Sequence, residues 1–191
     1  PISDIKYNLP TFDKDIQSRY IEGWIDFGGL GFRVASIYAP NGNPIFSEKY
    51  NYKIKWLNAF KEYAKQLLKY EENIVLGGDY NICPSKLDVA KEELILEDAI
   101  YQKEVKTIYR EIINSGFIDS FRSFYPEKDD FTYWDYGKAF LNNLGVRIDH
   151  ILLSSLATDK CTKVHIDKKP RGKIKPSDHT PIIATFSINN A

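Results

Sequence analysis

The sequence predicts a mixed α/β fold in a single domain. Two apolar, β-branched runs at residues 21–27 and 32–38 flank a glycine-rich turn, which is the pattern of a β-hairpin. Residues 51–70 then show helical spacing of apolar side chains, and residues 74–76 form a short apolar run. Strand, helix and strand thus follow one another, and 191 residues suit one domain.

The remaining elements follow the same patterns. Residues 74–76 predict a buried strand that stops at Gly77 and Gly78, and residues 92–113 predict a second long helix that ends before Gly116. Residues 117–124 predict a short strand or turn, and residues 148–153 and 182–186 predict the last strands. Residues 129–146 are aromatic without a regular period and predict a long functional loop. The first twenty residues are polar, and no strand is predicted there.

Composition narrows the class of protein. Lys plus Arg and Asp plus Glu number 26 each, which excludes a uniformly basic nucleic-acid binder but allows a local basic patch. No apolar run approaches the roughly 18 residues of a membrane span. Two cysteines are too few for a disulfide scaffold and predict a reducing, cytoplasmic location. The chain has no Met and begins with Pro1, so we expect either that its start has been removed or that it is part of a longer protein.

Three motifs with polar side chains lie at predicted strand ends. In the GGDYN motif at residues 77–81, Asp79 and Asn81 can orient a water and hold a phosphate oxygen, or they can simply cap a turn. The RIDH motif at residues 147–150 opens the next strand and by itself also fits a charged surface. The SDH motif at residues 177–179 pairs an acid with an imidazole, or caps a turn.

A basic segment precedes the SDH motif. Residues 163–175 contain six Lys or Arg residues and one Asp, which favours either a solvated loop or contact with phosphates. The three histidines have no zinc-site spacing, and neither a P-loop nor a nucleophile elbow is present in the sequence.

Taken in order, these motifs resemble the exonuclease III family of apurinic/apyrimidinic (AP) endonucleases, in the endonuclease/exonuclease/phosphatase superfamily. The matching stretches are QSR at 17–19, IYAPNG at 37–42, GDYNI at 78–82, FTYWDY at 131–136, GVRIDHILL at 145–153 and KPSDHTP at 175–181. The WDY loop followed by RIDH points to the DNA-repair branch. The resemblance implies an α/β sandwich of two mixed sheets flanked by helices.

The resemblance also implies a catalytic set made up of Tyr38, Asp79, Asn81, Asp149 and His179. Asp79 would activate or orient the attacking water, with Asn81 as its partner at the phosphate. Tyr38 would donate to a phosphate oxygen, and His179 would contact the scissile phosphate, oriented by Asp178. Mg²⁺, or alternatively Mn²⁺, would be bound by Asp79, Asn81 and Asp178, because hard cations prefer oxygen ligands.

The implied partner is double-stranded DNA with abasic sites or 3′ ends. The residues expected to contact it are Arg19, Tyr133, Trp134, Val146, Arg147, Ile148 and Lys173. Tyr133, Val146 and Ile148 would form the wall of a pocket for an extruded abasic sugar, with Trp134 beside them. A core aromatic cluster is the alternative interpretation of this loop.

The family begins with a strand bearing an Asn and a later strand ending in a metal-binding Glu, and neither is found in this sequence. We therefore expect residues 1–191 to form a single catalytic nuclease domain that lacks the leading strands and is incomplete at its N-terminus. Its own N-terminal fragment is then a candidate partner, and the chain alone is expected to bind Mg²⁺ poorly and to show little nuclease activity. Two other functions stay open: a phosphodiesterase or phosphatase acting on lipids or inositol phosphates, and a non-catalytic DNA-binding remnant.

Overall fold

The structure is a computed structural model that describes residues 1–12 and 15–188. These residues form two sheets and four α-helices. In chain order the elements are β1 (Ile2–Lys6), β2 (Tyr20–Asp26), β3 (Gly31–Tyr38), α1 (Glu48–Leu68), β4 (Ile74–Asp79), α2 (Lys103–Asn114), β5 (Ile118–Asp119), α3 (Ser120–Phe124), β6 (Asp149–Leu153), α4 (Ser155–Lys160), β7 (Cys161–Ile166) and β8 (Ile182–Phe186).

The larger sheet has the strand order β1-β2-β3-β4-β6-β5. Strands β3 and β4 are parallel, joined by α1 as the crossover, and the other pairs are antiparallel. The second sheet contains β7 and β8. This arrangement confirms the predicted mixed α/β fold.

The buried apolar clusters show how the helices and the two sheets are layered. The helices α1 and α2 cover one face of the large sheet, where Trp56, Leu57 and Phe60 are fully or almost fully buried. On the other face, a second cluster joins the large sheet to the β7–β8 sheet, and the rings of Phe32 and Phe186 meet at 5.3 Å. The two sheets therefore face each other across an apolar layer, with the helices outside.

Several predicted elements need correction. Strand β4 does not stop at Gly77 but runs through both glycines to Asp79. The predicted helix at 92–113 begins only at Lys103, because residues 92–94 form a single 3₁₀ turn and the following segment turns inward to bury Ile95 and Ile100. Strands β1 and β7 are found where none was predicted.

Within the described residues, no helix combines the length and the apolar composition that crossing a membrane requires.

Candidate active site

Three neighbouring strands bring three of the predicted catalytic residues to one level of the sheet. Tyr38 at the end of β3 pairs in register with Asp79 at the end of β4, and Asp79 pairs with Asp149 at the start of β6. Adjacent strands lie about 4.8 Å apart, so the three residues form a row at one sheet edge. The sheet register alone thus gathers residues that are far apart in sequence.

Asp79 is held by the chain that follows it. Its two oxygens accept hydrogen bonds from the backbone N–H of Asn81 (2.8 Å) and from the Asn81 amide (3.0 Å). The Asn81 backbone is left-handed, with φ at 50°, and its amide also donates to Ala39 O at 3.0 Å. Burial, reinforced by the negative charge of Asp149, raises the pKa of Asp79 to about 6. The two hydrogen bonds from Asn81 cap the turn, and they also hold the Asp79 carboxylate in place. The turn-cap and catalytic interpretations of the motif are therefore compatible.

His179 is oriented by Asp149, not by its sequence neighbour. Its Nδ1 lies 2.9 Å and 3.2 Å from the two Asp149 oxygens. Burial opposes a charged imidazole, but the hydrogen bond and charge of Asp149 outweigh it, so the pKa of His179 is raised. The predicted orienting role of Asp178 is wrong, because the carboxylate bonded to the imidazole is that of Asp149, which lies beside Asp79 in the sheet. The Asp178 carbonyl instead accepts from Trp134 N at 2.9 Å.

Thr132 aligns the Asp149–His179 pair and was missed from the sequence. Its buried hydroxyl accepts from the backbone N–H groups of Ile148 and Asp149, each at 3.1 Å. Its carbonyl accepts from Thr180 N at 2.7 Å. One residue of the 129–146 loop therefore ties the start of β6 to the segment that carries His179.

Tyr38 and Arg19 form the exposed side of the site. The Tyr38 side chain is more than half exposed, and the Arg19 guanidinium lies 5.1 Å from its ring. Arg19 also donates to Tyr38 O at 3.1 Å and to the Gln17 side chain. Both predicted residues are therefore available to a ligand at this edge.

The aromatic loop places its residues at different depths. Tyr133 is half buried, stacks edge-on against His179 with ring centroids 5.1 Å apart, and pairs through its backbone with Val146. Tyr133 and Val146 line a cavity of about 330 Å³. Ile148 is buried in the cluster behind it. The expected direct DNA contact is wrong for Trp134, which is fully buried.

Arg147 does not contact DNA either, and that prediction is wrong. It is fully buried, donating to Asp88 at 2.7 Å and to Asp119 at 2.8 Å. It also donates to Nδ1 of His150, whose Nε2 lies 2.8 Å from Ile82 O. A buried guanidinium needs such partners, and sequence adjacency to Asp149 gave no sign of them.

Two of the six Lys and Arg residues in the basic segment at 163–175 are engaged inside the protein, and Lys163 at its start is exposed. Lys168 bonds to Asp130 at 2.6 Å, and the buried Arg171 donates to Trp134 O at 3.0 Å. Lys173 is exposed, together with Lys169 and Lys175. Only part of the predicted patch therefore faces solvent.

Lys53 was also missed, although the sequence carried a signal. It lies on α1 four residues before Leu57 and seven before Phe60, which puts a lysine on the apolar stripe. The structure buries it completely, with Nζ donating to Asn41 O and Asn81 O.

The donor set fits a partly hydrated divalent cation better than an enclosed one. Asp79, Asp149 and the amide of Asn81 offer oxygen donors at one sheet edge, and the Asp178 carboxylate lies near enough to His179 for its charge to help raise the pKa of that imidazole. Within the described ranges, no group of three or more His, Cys, Asp or Glu residues is arranged around a metal position. Mg²⁺ commonly takes one or two carboxylates and keeps several waters.

One sheet edge thus carries a buried carboxylate, an Asp–His pair and a tyrosine. Groups of these kinds are used by a hydrolase that directs water at a phosphate ester. The comparisons agree with that class. The model of the Endonuclease/Exonuclease/phosphatase family matches residues 2–179. The chain therefore belongs to this family of hydrolases, whose nucleases are metal-dependent.

The relatives are DNA nucleases. Exodeoxyribonuclease III of Haemophilus influenzae is 34% identical over 95% of this chain and 72% of that protein. A DNA-(apurinic or apyrimidinic site) endonuclease of Dictyostelium discoideum is 27% identical, over 83% of this chain and 44% of that protein. The chain thus spans less than half of the second relative.

Solved structures show the same likeness. The 3′ phosphatase NExo from Neisseria, bound to a product DNA hairpin, has 31% identity and a TM-score of 0.91, covering 98% of this chain and 72% of that one. An AP endonuclease from Archaeoglobus fulgidus has 30% identity and a TM-score of 0.89 at the same coverage. A DNA-repair function fits both comparisons.

Proposed function

We propose that this chain supplies the catalytic site of a DNA-repair nuclease that hydrolyses the backbone at abasic sites, with 3′–5′ exonuclease and 3′-phosphodiesterase activity. The observation that carries the proposal is the row of Tyr38, Asp79 and Asp149 with His179 bonded to Asp149.

Each residue of the row has a part in the chemistry. Asp79, with a pKa raised to about 6, takes a proton from the attacking water as the water oxygen bonds to phosphorus. His179, oriented by Asp149, whose hydrogen bond and charge raise the pKa of the imidazole, donates to a phosphate oxygen. Tyr38 and the Asn81 amide stabilise the other oxygens as negative charge develops, and the P–O bond to the sugar breaks.

A divalent cation, Mg²⁺ or alternatively Mn²⁺, completes the proposal, with Asp79, Asn81 and Asp178 as its candidate ligands. When bound it neutralises charge on the phosphate and the departing oxygen. The roles of these three residues as ligands rest on donor chemistry and on the motif resemblance.

Substrate selection is assigned to the Tyr133–Val146 cavity. An abasic sugar turned out of the duplex enters an apolar pocket that lies against His179 through Tyr133. Arg19 and Lys173 supply charge for the DNA backbone at the exposed rim.

The proposal also includes a partner segment and a location. Ile2 and Ile21 expose apolar side chains on one face of β1–β3. This face is the place where an N-terminal segment of the family type would pack, as part of a longer chain or in trans. The cytoplasm is the proposed location.

The test compares two substrates. An abasic duplex and a phosphoinositide are incubated with the protein, with and without a chelator. The proposal expects that the abasic duplex is cut, that the chelator prevents this cut, and that the phosphoinositide is not hydrolysed. Hydrolysis of the phosphoinositide alone favours the lipid-phosphatase function, and salt-dependent DNA binding without cleavage, even with the N-terminal segment supplied, favours the non-catalytic remnant.

A further inference from the structure

Lys53 connects two loops of the site from beneath. Its Nζ donates to Asn41 O at 3.0 Å and to Asn81 O at 2.6 Å. Asn41 belongs to the loop that follows Tyr38 at the end of β3, and Asn81 to the loop that follows Asp79 at the end of β4. A single ammonium on α1 therefore bridges the loops that carry two groups of the catalytic row.

We propose that Lys53 is a positioning residue, whose ammonium fixes the spacing between Tyr38 and Asp79 by tying together the loops that follow them. The inference rests on the proposed function, since it concerns the same site.

The burial of this charge requires an explanation. The side chain is completely buried, and an ammonium is costly to bury unless it is paired. Methionine would fill similar space without that cost, so packing alone does not account for a lysine here. Burial lowers the pKa of Lys53 to about 7, and the charged groups that face it and favour its protonated form are Asp98 and Asp79.

The loop is shaped around the lysine. Gly42 has φ at +87°, and a Cβ added there would lie 2.5 Å from Lys53 Cδ. The backbone therefore closes directly over the lysine stem, which leaves little freedom for the Asn41 carbonyl.

The second loop is held at two successive carbonyls. Lys53 donates a hydrogen bond to the carbonyl oxygen of Asn81, and Nε2 of His150 lies 2.8 Å from the carbonyl oxygen of Ile82. With its carbonyl held in this way, Asn81 adopts its left-handed conformation and donates to both oxygens of Asp79. Release of the Asn81 carbonyl would let that peptide rotate and shift the carboxylate.

The experiment compares Lys53→Met with Lys55→Met, an exposed lysine two residues along the same helix. A misplacement of about 1 Å costs about 100-fold in rate, so Lys53→Met is expected to lose about 100-fold in kcat on an abasic duplex, with KM changed less than threefold. Lys55→Met is expected to match the wild type. Lys53→Arg keeps the charge and is expected to retain at least about a tenth of wild-type kcat, which a purely space-filling role would not produce.

A second measurement does not depend on activity. Cys83 is buried two residues after Asn81, whereas Cys161 lies in the β7–β8 sheet. Lys53→Met is expected to raise the reactivity of Cys83 toward a thiol reagent at least tenfold and to leave Cys161 unchanged. If Lys53→Met does not fold, Lys53→Gln, whose amide reaches one carbonyl, replaces it in both assays.

The outcomes separate the two ideas. Wild-type kcat in Lys53→Met, or unchanged Cys83 reactivity, overturns the positioning role. An inactive wild-type protein, with the metal and the N-terminal segment supplied, contradicts the proposed function, while the thiol assay still tests the link between the loops.

Discussion

At the scale of single residues, the partner of each charged group decides its role. Asp79 and Arg147 both lie near the site in sequence motifs of the same kind. Asp79 ends a strand at the sheet edge with its oxygens bonded to Asn81, whereas Arg147 is enclosed by Asp88 and Asp119. The Asp79 carboxylate thus lies at the edge where the proposed chemistry takes place, whereas the Arg147 guanidinium is enclosed and cannot reach a ligand.

In the protein supplied with a family-type N-terminal segment, Asp79→Asn is expected to lower incision of an abasic duplex about 10²–10⁴-fold, because the amide cannot accept the proton from water. DNA affinity, measured by fluorescence anisotropy, is expected to change less than threefold. Asp159→Asn, at an exposed position on α4, serves as the matched control. Incision by Asp79→Asn within tenfold of the wild type contradicts the assignment.

His150 makes stability depend on pH. Burial, with the Arg147 charge, lowers the pKa of His150 from 6.5 to about 4. Between these two pH values the unfolded chain therefore binds a proton at His150 that the folded chain does not bind. The contribution of His150 to stability is complete above pH 6.5 and is lost as the pH falls to about 4, a change on the order of 3 kcal/mol. Urea unfolding across this range measures the loss.

His150→Gln removes the titrating group and is expected to flatten this pH dependence, although it lowers stability at pH 7. A slope in His150→Gln equal to that of the wild type contradicts the assignment to His150.

At the scale of elements, Gly78 lets β3 and β4 meet closely enough to align Tyr38 with Asp79. Its φ is +146°, and an added Cβ would lie 2.0 Å from Ile37 O. At Gly77 the nearest atom would be a side-chain carbon of Ile151, at 3.7 Å. A side chain at Gly78 would therefore collide with the backbone of β3, whereas Gly77 has room for a Cβ.

Gly78→Ala is expected to lower the free energy of unfolding by about 3 kcal/mol or more and to abolish cleavage, since the backbone of β3 must move. Gly77→Ala is expected to stay within about 1 kcal/mol of the wild type. Chemical denaturation of both variants checks this. Equal stability of the two would show that the close approach at Gly78 does not matter.

Local patterns predicted the elements whose burial is periodic. The β2–β3 hairpin and α1 were confirmed because their apolar residues repeat with the period of the element. Strand β1 was missed because four of its five residues are exposed, so no apolar alternation marks it. Residues 92–102 look helical in sequence, but tertiary packing of Ile95 and Ile100 turns them into loop.

The site was predictable as a set of motifs but not as a set of contacts. The row of Tyr38, Asp79 and Asp149 depends on sheet register, which the sequence does not display. The partner of His179 lies 30 residues away, and the adjacent Asp178 was the wrong choice. Long-range partners of buried polar groups require the fold.

At the scale of the whole molecule, one face of the large sheet is open beside the β7–β8 sheet. Ile2, Ile21 and Phe27 are 62%, 43% and 49% exposed. Ile2 and Ile21, together with Ile25 and Val34, line an apolar cavity of about 220 Å³ on this face. Exposed apolar surface next to an edge strand favours association with another chain.

The chain by itself is therefore expected to self-associate at micromolar concentrations through this face, because burying its apolar side chains contributes about 25 cal/mol per Å². Sedimentation velocity over a concentration series measures the association. Ile21→Lys puts a charge on the face and is expected to keep the protein monomeric at ten times the concentration at which the wild type associates. Leu156→Lys, at an exposed apolar position on α4, is expected to associate like the wild type. Adding a family-type N-terminal segment is expected to compete with self-association, and a wild-type chain that stays monomeric throughout contradicts the role of this face.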